Sequence, residues 1–283
     1  MNLNTVTEIR RSGPAPGPTG NGVVPLDWRD GDGWLAGGTW LFSEPQPHLR
    51  RLHDLQGFGW KPLNVSAHGL TIAATCTIAD LAALRTPSDW TAAPLIEQCC
   101  HAFLASFKVW NAATVGGNIC MSLPAGPMIS LTVALEAVYT LLLRDGGERV
   151  IPAAEFVTGD HRNVLEPGDL LRSIELPIAA LRKRTSFRRM SLTHLGRSSV
   201  LVIGTRDPQD GAFLLTVTAA TVRPVQLGFA QLPDARVLRE RLHDAIPDDL
   251  YHDDVHGLPA YRKHLTLHFA EEIRAELARV VTA

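Results

Sequence analysis

Short apolar bursts closed by Gly, Pro or Asp turns dominate this chain, a pattern of strands linked by brief helices. Residues 23–28 and 34–37 read as strands flanking the polar turn Asp30-Gly31-Asp32-Gly33, after a Pro/Gly-rich connector at 12–22 that sustains neither helix nor paired strand. Apolar runs at 63–66 and 70–75 sit either side of Ala67-His68-Gly69, the spacing of a hairpin. Thr77 with Asp80 three positions on is an N-cap signature and predicts a short helix from Ile78. A longer helix is predicted over 94–109, where Leu95, Ile96, Cys99, Phe103, Leu104 and Phe107 approximate one buried face. Next come a helix at 128–138, strands at 139–143 and 150–152 around the turn Asp145-Gly146-Gly147, and a strand at 170–176 closed by Pro177. The basic run Arg182-Lys183-Arg184 reads as a solvated connector between domains. Beyond it, strands at 185–190, 200–204 and 213–218 suggest an antiparallel sheet, followed by helices near 235–242 and 260–279.

The 283 residues suffice for two domains at about 150 residues each. A 45% hydrophobic share supplies a sizeable core, and a net charge of -2 gives no general attraction to nucleic acid or anionic lipid. No apolar run approaches the ~20 residues that cross a bilayer. Met1 to Arg11 lack the continuous apolar stretch of a secretory signal, so a cytoplasmic protein is expected.

Two glycine pairs carry the candidate chemistry. Ala36-Gly37-Gly38-Thr39 follows an apolar strand, and Ala113-Thr114-Val115-Gly116-Gly117-Asn118 follows a predicted helix. Glycine reaches backbone conformations in which successive N–H groups turn toward an anion, and a threonine hydroxyl adds a donor. Two such loops could clasp one diphosphate. Gly31, Gly33 and Ala36 also fit the dinucleotide pattern G-x-G-x-x-A, but its end falls inside a predicted strand rather than at a helix start. Cys76, Cys99, Cys100 and Cys120 contain no C-x-x-C pair, which argues against iron–sulfur or structural zinc sites. His264 and His268 share a helix face but lack the H-E-x-x-H pattern. With no metal site and no catalytic side chain identified, any chemistry falls to a bound cofactor.

The paired loops resemble those that bind FAD in the flavoprotein (medium) subunit of molybdenum hydroxylases, a group that includes xanthine dehydrogenases and the carbon monoxide dehydrogenase medium subunit. The resemblance continues through Leu135-Glu136-Ala137, Gly146-Gly147-Glu148-Arg149, Glu155-Phe156 with Gly159, Ile174-Glu175-Leu176-Pro177, Ser186 to Met190 and Tyr261-Arg262, and so covers nearly the whole chain. It implies an α+β fold: a two-subdomain, PCMH-like FAD-binding α/β region over 1–180, divided near 55, then a C-terminal antiparallel sheet with helices over 181–283. It implies that Leu35, Ala36, Gly37, Gly38, Thr39, Trp40 and Leu41 line one side of an FAD site, with Ala113, Thr114, Gly116, Gly117 and Asn118 on the other and main-chain donors from both loops. Trp40 either stacks on a cofactor ring or simply packs. Where relatives carry an Asp-Pro step and a later Asp, this chain has Leu123-Pro124 and Pro127, so Ser122, or the backbone of Ala125 and Gly126, is expected to substitute. The implied role is electron transfer in an FAD-dependent oxidoreductase. FAD would collect electrons from a small [2Fe-2S] subunit, molybdopterin would sit on a large subunit, and the complex would be a dimer of heterotrimers. Two other readings stay open: a self-contained FAD-dependent oxidoreductase, and a scaffold subunit that has lost FAD.

Overall fold

The structure, a computed structural model, describes residues 5–13 and 27–279. Most of the expected strand at 23–28 and most of the connector at 12–22 lie outside that range, and Asp27 and Trp28, which are described, are not in a strand.

Three β-sheets and a small hairpin organise the described residues. The first sheet is parallel, with β1 (Glu8–Arg11) and β2 (Asp32–Leu35) flanking β3 (Arg51–Asp54). Only the middle strand is buried, and it carries Arg51 and His53 inward. Arg51 Nε donates to Asp32 Oδ1 at 2.8 Å, so a buried cation is paired with a carboxylate on the neighbouring strand. Of these three strands the sequence pattern indicates only β2, because the other two are four-residue segments dominated by charge.

The second sheet is antiparallel in the order β4-β5-β10-β6-β7. Its members are β4 (Leu63–Ser66), β5 (Gly69–Ala73), β6 (Val138–Leu142), β7 (Glu148–Pro152) and β10 (Leu170–Pro177). Strand β10 lies at its centre, with Ile174 opposite Ile72 on one side and Tyr139 on the other. The intervening β8 (Val157–Gly159) and β9 (Arg162–Asn163) form the hairpin. The third sheet is an antiparallel meander of β11 (Arg184–Met190), β12 (Val200–Arg206), β13 (Phe213–Thr218) and β14 (Val225–Phe229).

The predicted helix over 94–109 is two helices. After α1 (Ile78–Ala82), the segment divides into α2 (Ala93–Ala102) and α3 (Phe107–Trp110). The break at 103–106 is held by Trp110 Nε1, which donates to the Phe103 carbonyl at 3.0 Å. The second glycine pair belongs to a short helix, α4 (Val115–Cys120), and not to an open loop. Helix α5 (Pro127–Ala134) stops before the predicted end because Glu136 turns to φ 51°. Helices α6 (Ile178–Leu181), α7 (Ala235–Ala245) and α8 (Pro259–Ala278) complete the chain.

Every residue of α5 is buried. It is wedged between the second and third sheets, where Ser130 Oγ lies 2.7 Å from Thr218 Oγ1 and Gln226 Nε2 donates to the Val133 carbonyl at 2.8 Å. Strand β12 serves two cores by the period of two that any strand imposes. Leu201 and Ile203 join the cluster around α5, while Val200 and Val202 join the one under α8. The third sheet therefore packs on α5, which brings its β11–β12 turn to the edge of the site.

Candidate functional site

The two glycine pairs, far apart in sequence, meet in space. A Cβ on Gly37 would fall 1.8 Å from the Ala112 carbonyl oxygen, so the two segments approach to a distance that only glycine permits. A Cβ on Gly116 would likewise fall 2.5 Å from the Cβ of Ala74. Both glycines are required by protein packing before any ligand is considered.

Between the segments opens a cavity of about 570 Å³, within the ordinary range for cofactor sites. Ala36, Gly37, Gly38, Thr39, Trp40 and Leu41 line one wall. Ala113, Thr114, Gly116, Gly117 and Asn118 line the other. Leu35 and Ser122 do not border it. Leu35 is a strand residue directed to the opposite face from Trp34, which does line the cavity and donates from Nε1 to the Asp169 carbonyl at 2.9 Å. Ser122 is fully buried with φ 52°, and Asn163 Nδ2 donates to its hydroxyl at 2.9 Å. The expected substitution of Ser122 for a missing carboxylate is therefore not what its position offers. Ala125, Gly126 and Pro127 do reach the cavity.

Counting donors changes the balance between the loops. In α4 the first-turn N–H groups are already used: Val115 donates to Cys76 O at 2.8 Å, Gly116 to Ala74 O at 3.0 Å and Gly117 to Thr114 Oγ1 at 2.9 Å. Asn118 N–H donates to the Thr114 carbonyl at 3.0 Å. The expectation that this turn presents free main-chain donors does not hold, because the cap and the contact with Ala74 absorb them. What it does present is the Thr114 hydroxyl proton and the Asn118 carboxamide. Asn118 Oδ1 accepts from Met128 N–H at 3.0 Å, which leaves its NH₂ without an acceptor among the described residues. The first loop is the reverse case. The N–H groups of Gly37, Gly38, Thr39, Trp40 and Leu41 find no acceptor among the described residues. These residues are half-buried, and consecutive amides without a protein acceptor along a cavity wall are available to an anion. A diphosphate fits that requirement, and a cavity of this size accommodates a dinucleotide around it.

The sequence does not mark the remaining walls. They come from Ala102 to Ala105 in the break between α2 and α3, and from Leu195, Arg197 and Ser198 in the β11–β12 turn. Only the packing of the third sheet places the β11–β12 turn there. Among the described residues Asp169 is the one carboxylate on the lining, and it accepts from the Arg144 N–H at 2.9 Å and the Glu166 N–H at 3.2 Å. Cys120 also lines the cavity, but burial pushes its thiol up to about 12, so it stays protonated at neutral pH.

Next to this cleft lies a second, smaller cavity of about 370 Å³ that shares Leu123, Ala125, Arg197 and Ser198 with it. Three of the four non-glycine residues with left-handed backbone among the described residues, Ser122, His161 and Ala219, meet at the dividing segment. His161 N–H donates to Ser122 O at 3.0 Å and Ala219 N–H to Pro124 O at 2.8 Å. Elsewhere, His264 and His268 stack on α8 with ring centroids 6.4 Å apart, and His268 pairs with Glu272. Among the described residues no group of three or more His, Cys, Asp or Glu side chains is arranged to hold a metal ion, and no helix is long and apolar enough to cross a membrane.

Comparison with known proteins agrees with this geometry. The carbon monoxide dehydrogenase medium chain of Hydrogenophaga pseudoflava is 28% identical over 177 residues, 59% of this chain and 58% of that protein. Xanthine dehydrogenase 2 of Arabidopsis thaliana is 28% identical over 127 residues, 41% of this chain and 9% of that much longer protein. The chain thus spans less than two thirds of either curated relative. A solved structure of carbon monoxide dehydrogenase from Hydrogenophaga pseudoflava superposes with a TM-score of 0.74 at 17% identity, over 94% of this chain and 96% of that one, and shares its fold. Residues 33–179, just over half of the chain and both glycine pairs with it, match the FAD binding domain in molybdopterin dehydrogenase, and the chain belongs to that family.

Proposed function

We propose that this chain is the electron-transfer subunit of a multi-subunit molybdenum hydroxylase or dehydrogenase, taking electrons from a [2Fe-2S] partner and passing them to an external acceptor. The observation that carries the proposal is the run of free amides from Gly37 to Leu41 facing the Thr114–Asn118 turn across one cofactor-sized cavity. In this reading the Gly37 to Leu41 amides hold the FAD diphosphate, with Thr114 and Asn118 adding side-chain donors from the opposite wall. Gly116 and Gly117 shape the turn that presents those two side chains. Bound FAD supplies the redox chemistry, and the protein supplies position and fixed dipoles. The apolar lining from Ala102, Phe103 and Leu104 excludes water from one side.

The partners in this reading are a large molybdopterin-binding subunit and a small [2Fe-2S] subunit, assembled as a dimer of heterotrimers in the cytoplasm. The domain division falls at 180/181, with the FAD-binding part subdivided near 55. The separate first, second and third sheets support that division.

Purified chain incubated with FAD is expected to retain about one flavin per chain through gel filtration, read from its visible absorbance. A chain that stays colourless overturns the assignment. Recovery of flavin-loaded chain without molybdopterin and iron–sulfur partners after gentle purification from its native cells argues against the multi-subunit part alone.

A further inference from the structure

Among the described residues the cleft contains one cationic side chain. Among its lining residues there is no lysine, no histidine and no arginine except Arg197, which enters from the β11–β12 turn. Its neighbours are engaged elsewhere: Arg188 pairs with Glu272 and Glu276, and Arg189 holds the Ser198 hydroxyl and the Gly196 carbonyl. Arg197 itself has no ion-pair partner among the described residues and is exposed. A guanidinium at the mouth of a cavity proposed to hold a polyanion has two uses: it can neutralise the diphosphate or the redox ring.

The position of Arg197 separates them. The free amides of Gly37 to Leu41 already provide for the diphosphate. Arg197 lies where the cleft abuts the second cavity, and none of Gly37, Gly38, Thr114, Gly116 or Gly117 borders that cavity. This is also the end of the cleft with a polar approach, through His161, His252 and His256. A redox ring needs access for its electron donor and acceptor, whereas an adenine needs none.

Resting on the FAD reading above, we propose that Arg197 faces the flavin ring and is the residue that raises its electron affinity, by stabilising the negative charge that the pyrimidine edge gains on reduction. Charge close to the ring nitrogens is one of the principal means by which a protein tunes a flavin. A charge-assisted contact at the mouth of the cleft has the strength to do so. Arg197 is thus a tuning residue, supplied by a different sheet from the loops that bind the cofactor.

The test uses the full chain loaded with FAD and two readouts independent of turnover: the dissociation constant of sulfite, whose addition to the ring leaves the same negative charge, and the midpoint potential. Arg197→Met is expected to weaken sulfite binding roughly tenfold or more, and to lower the potential by about 30 mV for each tenfold change in the two-electron equilibrium. Flavin content should be unchanged, and Arg197→Lys should recover part of both effects. Unaltered sulfite affinity and potential in a fully flavinated Arg197→Met chain would overturn the proposal. Loss of FAD with normal sulfite affinity in the loaded fraction would also overturn it and assign Arg197 to the diphosphate. A wild-type chain that takes up no FAD fails at the earlier reading, a distinct outcome.

Discussion

Asn118 shows how one side chain serves fold and ligand at once. Its carbonyl oxygen caps the Met128 N–H at the start of α5, and its NH₂ is left for the cleft. Asn118→Asp keeps the acceptor but exchanges the donor for a negative charge opposite the proposed diphosphate. FAD affinity is expected to fall at least tenfold by titration, with the thermal midpoint of the FAD-free protein within a few degrees of wild type. Gly116 shows the converse. A larger residue there meets Ala74 before it could meet a cofactor, with the nearest backbone atom 2.7 Å from the new Cβ. Gly116→Val is therefore a folding variant, expected to lower stability by more than about 3 kcal/mol in urea denaturation and to aggregate rather than yield a soluble, flavin-free chain. That the second glycine pair matters is evident from the residue string. That it matters for a contact with Ala74 is not, because a residue string does not show which backbone lies against a glycine.

At the scale of elements, features with local causes are readable and those with distant causes are not. The hairpin of β4 and β5 and the cap of α1 follow from turn and capping residues a few positions apart. Thr77 accepts from Asp80 N–H at 3.0 Å, and Asp80 reaches back to Thr77 to close the capping box. Thr77→Ala is expected to cost about 1 kcal/mol by chemical denaturation, because it removes the acceptor for that N–H. The break between α2 and α3 escapes detection: its cause is the bond from Trp110 to Phe103, which interrupts an otherwise continuous apolar face. Strand β3 escapes because Arg51 and His53 make a buried strand look like a charged loop, and their pairing with Asp32, joined by Asp27 on Arg51, offsets the cost of burying them. Half of the candidate site was readable for the same reason. The glycine pairs are local motifs, whereas Arg197 and Ser198 become site residues only when the third sheet docks on α5.

At the scale of the whole molecule, carboxylates join distant segments. Burial opposes ionisation of Asp32, yet hydrogen bonds from Arg51, Arg29 N–H and His53 hold its carboxyl well below the usual range. Asp254 is also lowered: burial works against it, but the His256 N–H and the charges of Arg262 and His252 prevail. Glu276 on α8, opposed by burial, is lowered by Arg188 and Ser186 on β11. Lowered carboxyls stabilise the folded state fully above the ordinary carboxylate pKa of about 4, and that contribution is lost as pH falls through their native values. The thermal midpoint is accordingly expected to be flat from about pH 6 to 5 and to drop below about pH 4. A midpoint that falls instead between pH 7 and 6 would mean that histidines dominate.

The contact between Gly37 and the Ala112 carbonyl carries a kinetic consequence. The loop of free amides acquires its shape only when residues distant in the chain have come together, and such non-local closures come late when chain entropy limits folding. The cofactor then has no receptor on the partly folded chain and enters a finished one. FAD should leave the refolding rate unchanged while slowing unfolding in stopped-flow traces, so that cofactor loading governs how long the subunit lasts and not how quickly it forms.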